Sequence, residues 1–412
     1  MKILSASLDF FEIPENTNHA KQINTTLAVP PRTSAGNLED RTDSAPSRIP
    51  ISTQLQPSKS PAQAIWCRVQ IRTDSQWLGI GYARLSSALQ KETIQAIAEN
   101  EFFPLLIDQQ IGYPEFQFQQ CQQKIGKENW SSIFANTYAA IDLALWDLKA
   151  KERQLPLYKL FGPEKMALPA FVSGTASASQ EVASILPEFR YWQKQGAIGL
   201  LIEVGSNNLE AEAEKLQVLR DTIGEETWLG VSANNSLDWN GALALAPFLD
   251  EDLGADWFEE PLRLANAQED RPLGYQKLAE RVAIPLASGT NWTKPIDFLL
   301  AAQHGAIRVL RPDIFQLGGL TPLYQMLSLV EPFPVTVVPR YLPEIAAALA
   351  YRFPAISMVD YSVNGLTSLV DEHFSSSLPL TWRANKIHLG DSLGIGWDSL
   401  SLSLHRSSTV DS

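Results

Sequence analysis

The sequence predicts an α/β chain in two parts, a small α+β unit over about the first 160 residues and a (β/α) barrel after it. Rhythm carries most of that prediction. Short apolar strands begin near Leu168, Gly199, Trp228, Asp256, Ile284, Ile307, Val335 and Ile356, each followed by a helical stretch. The repeat is about 20 to 30 residues, which suits a barrel better than a doubly wound sheet. Pro295, Pro322 and Pro343 each stand in the first turn of a predicted helix, where a missing N–H costs nothing. With 412 residues, 45% of them hydrophobic and 19% charged, the chain also has enough apolar material for a large core.

The elements follow in order. Ile3 to Ile13 reads as a strand, and Ala64 to Ala83 as two more, because AIWCRVQIRT and QWLGIGYA alternate apolar and polar residues around a turn at Asp74 and Ser75. Residues 16–61, rich in Pro, Ser, Thr, Asn and Gln, lack that periodicity and are expected to form a disordered insertion. A helical region runs from about Ser86 to Phe161. In it Ile141, Ala144, Leu145 and Leu148 form an i, i+3, i+4, i+7 stripe that ends before Pro156. The tail HLGDSLGIGWD, His388 to Asp398, has paired glycines suited to a tight turn. The expected divisions are 1–163, 164–380 for the barrel and 381–412 for the tail.

Charge and cysteine content narrow the partners. A net charge of −13 and the lack of clustered Lys and Arg argue against nucleic acid, leaving small molecules. Two cysteines, Cys67 and Cys121, make neither a disulfide framework nor a zinc pattern. The start MKILSASLDFFEIPE alternates like a strand, and no run of 18 apolar residues occurs, so the expectation is a cytoplasmic protein with no membrane partner.

Barrels of this kind place chemistry at the C-terminal ends of their strands. The polar residues there are Glu203, Ser232, Asn234, Glu259, Glu260, Ser288, Thr290, Asp313, Arg340 and Asp360. His19, His304, His373, His388 and His405 all fall elsewhere, so a histidine base at this mouth is not expected.

The runs TYAAIDLALWDLKAKERQLPLYKLFG (137–162), VSANNSLDW (231–239), WFEEP (257–261), SGTNW (288–292), RPDIFQLGG (311–319), VPRYLPEIAAAL (338–349) and LGIGWD (393–398) resemble, in order and spacing, the enolase superfamily and within it the mandelate racemase/muconate lactonizing enzyme group. The resemblance implies an α+β capping domain over a modified TIM barrel, (β/α)7β, with the tail returning to the capping domain. It also implies an enzyme that takes the proton next to a carboxylate and holds the enediolate on Mg²⁺.

The matching positions are altered. The Lys-x-Lys of the second barrel strand is Leu201, Ile202 and Glu203. The three metal carboxylates are Ser232, Glu259 and Thr290, of which only Glu259 is retained. Asp313 persists where an Asp orients a His, but the His is Arg340, and the electrophilic Glu is Asp360. A lone carboxylate lacks the charge to take Mg²⁺ from its hydration shell, and a guanidinium cannot act as a base.

The expectation is therefore a catalytically degenerate homologue, a pseudoenzyme without cofactor, that binds a small anionic metabolite through Asn234 and Arg340. The alternative is an enzyme of the inherited class, a racemase or acid-sugar dehydratase with an atypical or metal-free site, using Glu203, Asp313, Arg340 or Asp360, or Mg²⁺ if Glu259 still serves it. Two readings stand for Arg340: an ion pair with Asp313 that fills the emptied site, or a fork onto a ligand carboxylate. The resemblance further implies a homo-oligomer.

Overall fold

The computed structural model describes residues 1–13, 64–126, 129–205, 208–263, 271–363, 365–366 and 379–398. The insertion expected at 16–61 lies outside the described residues.

Strands β1 (Ile3–Ile13), β2 (Ala64–Thr73) and β3 (Leu78–Leu85) form an antiparallel sheet in sequence order. The turn falls at Asp74 and Ser75 as the alternation predicts, closed by Thr73 N–H donating to the Trp77 carbonyl at 3.1 Å. The helix Ser132–Glu152 crosses β3 so closely that a Cβ on Gly81 would come within 1.9 Å of the Ala140 carbonyl oxygen. Glycine there sets the approach distance. The stripe on this helix proves incomplete as a description. Almost the whole helix from Ala135 to Leu148 is buried, because its second face packs on the barrel helix Leu320–Val330. Asp142 accepts from the Thr321 N–H at 2.8 Å and hydroxyl at 2.6 Å, and Trp146 Nε1 donates to Thr321 Oγ1 at 2.9 Å.

Burial pushes the Asp142 carboxyl up to about 7, against the pull of its Thr321 hydrogen bonds. A folded-state pKa above the unfolded value favours the fold only while the group is protonated. That contribution is fully present below about pH 4 and is lost as pH rises towards 7. Asp142→Asn is expected to flatten the fall in urea unfolding free energy over that range. An unchanged slope would show that other groups carry it.

The barrel strands are β4 (Ala170–Ser177), β5 (Gly199–Glu203), β6 (Trp228–Ser232), β7 (Trp257–Glu259), β8 (Leu286–Ser288), β9 (Val309–Leu310), β10 (Thr336–Val337) and β11 (Val359–Ser362). All pairings are parallel, in the order β10-β9-β8-β7-β6-β5-β4-β11. The last strand thus lies beside the first, and the sheet curls round as the repeat predicts. Each strand starts within three residues of its predicted start.

Past the barrel, β12 (Leu380–Arg383) and β13 (Lys386–Leu389) form a hairpin. The glycine turn that follows returns to the helix Ser132–Glu152, where Asp147 accepts from the Ile395 N–H at 2.8 Å and Lys151 pairs with Asp398 at 2.7 Å. Gly394, at φ 68°, passes so close to Asp147 that a Cβ would lie 1.9 Å from its Oδ1. Among the described residues no helix is long and apolar enough to cross a membrane.

Candidate active site at the barrel mouth

The barrel interior is built in steps of two, because alternate strand residues face the same side. Phe171, Leu201, Trp257, Ala287, Val309 and Val338 form one buried apolar cluster, with Trp228 and Met358 packed against it. Gly230 leaves room for that cluster, since a Cβ there would meet Trp228, Leu201 and Trp257 within 2.8 Å. Two residues further along each strand come Ser173, Glu203, Ser232, Glu259, Gly289, Arg311, Arg340 and Asp360. An aromatic and aliphatic floor thus gives way to a polar layer facing the strand ends.

Arg311 is the centre of this layer and is fully buried. Its Nε donates to Glu259 Oε2 at 2.8 Å, one terminal nitrogen to Asp360 Oδ2 at 2.6 Å and the other to the Val338 carbonyl at 3.1 Å. The guanidinium carbon lies 5.4 Å from the Phe171 ring centre and 5.5 Å from that of Trp257, within cation–π range of both. Ser173 Oγ donates to Asp360 Oδ1 at 2.5 Å.

Arg340 lies further out, with its side chain 17% exposed. One terminal nitrogen is 3.4 Å from Thr290 Oγ1 and 3.9 Å from Glu259 Oε1, and the guanidinium carbon is 5.1 Å from the Tyr341 ring centre. Arg84, on β3, approaches the same ring at 5.2 Å and donates to the Tyr341 hydroxyl at 3.3 Å. Burial works against the charge of Arg340, but Tyr341, Glu259, Asp360 and Asp313 outweigh it and hold its pKa above the ordinary value. The Nε atoms of Arg84 and Arg340, and Glu259 Oε1, are buried without a hydrogen-bond partner among the described residues. Such atoms are costly to leave unmet and point to groups supplied by ligand or water.

The sequence-predicted residues separate into four groups, the last of them Asp313 alone. Glu203, at the end of β5, and Arg340, just past β10, share the polar layer: burial raises the Glu203 carboxyl, and the Arg340 charge partly opposes that. Glu203 is half-buried, and none of the hydrogen bonds or ion pairs among the described residues involves its side chain. Asn234 is exposed on the rim in the left-handed region, φ 47°, with its N–H on Ser232 Oγ at 3.3 Å. Glu259 and Asp360 are brought together by Arg311. Asp360, offered by the sequence as a catalytic residue, is not placed to act as a free proton donor: it is 1% exposed and both its oxygens are taken.

The expected Arg340–Asp313 ion pair does not form. The two residues share a parallel backbone bridge, but the Asp313 carboxylate turns to cap the helix Ile314–Leu317, accepting from the N–H groups of Phe315 at 2.8 Å and Gln316 at 3.3 Å. Helix capping claims an Asp at this position before a distant guanidinium can. Burial raises its carboxyl, against the pull of those N–H groups and of Arg340.

Arg311, which dominates the site, was not among the strand-end candidates. Period-two alternation from Val309 was the signal that could have found it. A separate cleft lined by Pro156, Tyr158, Glu344 and Gly394 includes none of the strand-end residues.

Two family models match the chain: "Mandelate racemase / muconate lactonizing enzyme, N-terminal domain" over residues 38–162, and "Enolase C-terminal domain-like" over residues 188–399. The chain belongs to the mandelate racemase/muconate lactonizing enzyme family. Among its relatives, an arabinonate dehydratase of Saccharolobus solfataricus is 24% identical over 64% of this chain and 69% of its own length. An L-talarate/galactarate dehydratase of Salmonella typhimurium is 24% identical over 65% of this chain and 64% of its own length. The solved structure of the latter superposes with a TM-score of 0.76 at 20% identity, covering 96% of this chain and 89% of that one. A racemase from Streptomyces coelicolor A3(2) with bound magnesium gives 0.77 at 19% identity, covering 96% of both.

Those relatives raise the question of whether this site fits Mg²⁺. The ion takes oxygen ligands at near-ideal octahedral positions and gives up water reluctantly. Ser232, Glu259 and Thr290 offer one carboxylate and two hydroxyls, and the carboxylate is held by Arg311 on one oxygen and faced by Arg340 on the other. No group of three or more His, Cys, Asp or Glu that could hold a metal occurs among the described residues. The residues present do not fit Mg²⁺ in this arrangement.

Proposed function

We propose that this chain is an enzyme of the acid-sugar dehydratase and racemase class that works without a bound metal. It removes the proton next to the carboxylate of a hydroxylated acid at the barrel mouth. What carries this is that Glu203, at the end of β5, and Arg340, just past β10, belong to the same inward-facing polar layer at the strand ends. Glu203 is the mouth carboxylate with no hydrogen-bond partner among the described residues, raised by burial towards a stronger base, and Arg340 supplies a permanent cation to the same layer. The relatives named as arabinonate and L-talarate/galactarate dehydratases support the substrate class.

In this reading Arg340 binds the substrate carboxylate, as a planar fork with a free Nε is suited to do. The Glu203 carboxylate accepts the proton from the adjacent carbon. The C–H electron pair moves into the carboxylate, and the negative charge that develops there is met by the guanidinium. For a dehydration the hydroxyl on the next carbon leaves with the proton returned by Glu203, so water is the only by-product and no oxidant is required. A racemisation would need a proton delivered to the opposite face, which Glu203 alone cannot supply, so this arrangement suits dehydration better.

The relatives, named as enzymes, favour this reading over the degenerate one. The test is proton exchange in D₂O followed by NMR over a panel of aldonates and aldarates, in the presence of a chelator. The wild type is expected to exchange the proton next to the carboxylate of at least one of them, and Glu203→Gln to slow that exchange by about 100-fold or more. Binding without exchange by the wild type would sink the enzyme reading and restore the binding-protein one.

A further inference from the structure

The misfit with Mg²⁺ has a structural counterpart in Arg340. Glu259 and Thr290 are two of the three positions matched to metal ligands, and one terminal nitrogen of Arg340 approaches both, at 3.9 and 3.4 Å. The positioning is built from several sides. Tyr341, itself at φ 73°, lays its ring 5.1 Å from the guanidinium carbon and stacks on Phe315 at 5.8 Å and 23°. Arg84 holds the Tyr341 hydroxyl from the first domain. Behind Glu259, Arg311 fixes the carboxylate through the oxygen that Arg340 does not face.

We propose that Arg340 is the resident cation of this barrel: its guanidinium stands where a divalent ion would have to bind, and it both supplies positive charge to the ligand carboxylate and excludes the metal. A guanidinium suits that place because it stays protonated and offers several donors in one plane. A single buried carboxylate can neutralise one such unit charge, whereas a divalent ion needs more anionic ligands than Glu259 provides. The catalytic meaning of the substitution rests on the function proposed above. The ion preference does not, and can be tested without turnover.

The test is Mn²⁺ binding by the metal-stripped full chain, read from the loss of the free-ion electron paramagnetic resonance signal. The wild type and Glu259→Gln are expected to be indistinguishable, with no site tighter than about 1 mM. Ser232→Asp with Thr290→Glu restores two carboxylates while leaving Arg340 in place, and is expected to bind weakly. Adding Arg340→Ala to that pair is expected to tighten Mn²⁺ binding at least about 10-fold, because a fixed positive charge no longer opposes the ion.

A wild-type site that disappears in Glu259→Gln would overturn the proposal. So would equal Mn²⁺ affinity with and without Arg340 in the two multiple variants, or a folded triple variant that binds no Mn²⁺. If the triple variant does not fold, the wild-type and Glu259→Gln titrations still decide the matter. Absence of proton exchange in the D₂O experiment would remove the enzymatic reading and leave the ion preference standing.

Discussion

Arg311→Met is expected to lower the free energy of unfolding by about 3–5 kcal/mol, measured by urea titration, because it strands two buried carboxylates without their cation. Met keeps most of the volume of the arginine stem, so a cavity contributes little. What is lost is the double ion pair, 2.8 Å to Glu259 and 2.6 Å to Asp360, in a place where all three side chains are at most 1% exposed. A second arm separates this cause from lost packing. Adding Glu259→Gln and Asp360→Asn to Arg311→Met removes the stranded charges and is expected to recover most of the loss. A cost below about 1 kcal/mol for Arg311→Met alone would mean that the carboxylates simply take up protons, and that Arg311 is not their main counterion.

The fold was legible because a barrel repeats. Eight apolar strand starts at similar spacing, and a tail with paired glycines, are properties of sequence order, and each strand formed within three residues of its expected start. Positions at the strand ends were legible for the same reason: parallel register sets Glu203 opposite Ser232 and Ser232 opposite Glu259. Pairing was not legible. Asp313 and Arg340 do lie on adjacent strand ends, joined by a backbone bridge, but a helix N-terminus two residues further on offers the carboxylate two N–H donors at no cost in chain entropy. Arg311 was not legible because, one residue past the two-residue strand β9, it sits where a polar residue reads as the start of the loop rather than as the last inward-facing position. A buried arginine in a barrel is unusual enough that only the inward parity of Val309, read two residues on, would have singled it out. The helix Ser132–Glu152 shows the converse limit. Its stripe read as one-sided because the second packing partner, the helix Leu320–Val330, is distant in sequence.

The other large effect is expected at Glu260, the neighbour of the retained family carboxylate. Its backbone is left-handed at φ 45°, which turns its side chain away from the path of Glu259 and into the loop after β8. There it accepts four hydrogen bonds: from Tyr275 Oη and Ser288 Oγ at 2.9 Å, and from the Gly289 and Thr290 N–H groups at 2.8 Å. Glu260→Ala leaves two buried N–H groups and two hydroxyls to find new partners. The expected cost is about 3–5 kcal/mol, since each unmet buried donor costs about 1–3 kcal/mol and the hydroxyls can rotate. Glu260→Gln keeps one acceptor oxygen and is expected to cost about 1–3 kcal/mol, leaving a folded protein in which the Gly289–Thr290 turn is looser. Because Thr290 Oγ1 is one of the groups that hold Arg340, the loosened turn should weaken the hold on a substrate carboxylate more than the proton transfer at Glu203. In the D₂O exchange assay this is a rise in KM of about 10-fold with a smaller change in kcat. A loss of kcat at unchanged KM would instead mean that Glu260 acts on the base side of the mouth, and that Thr290 does not position Arg340.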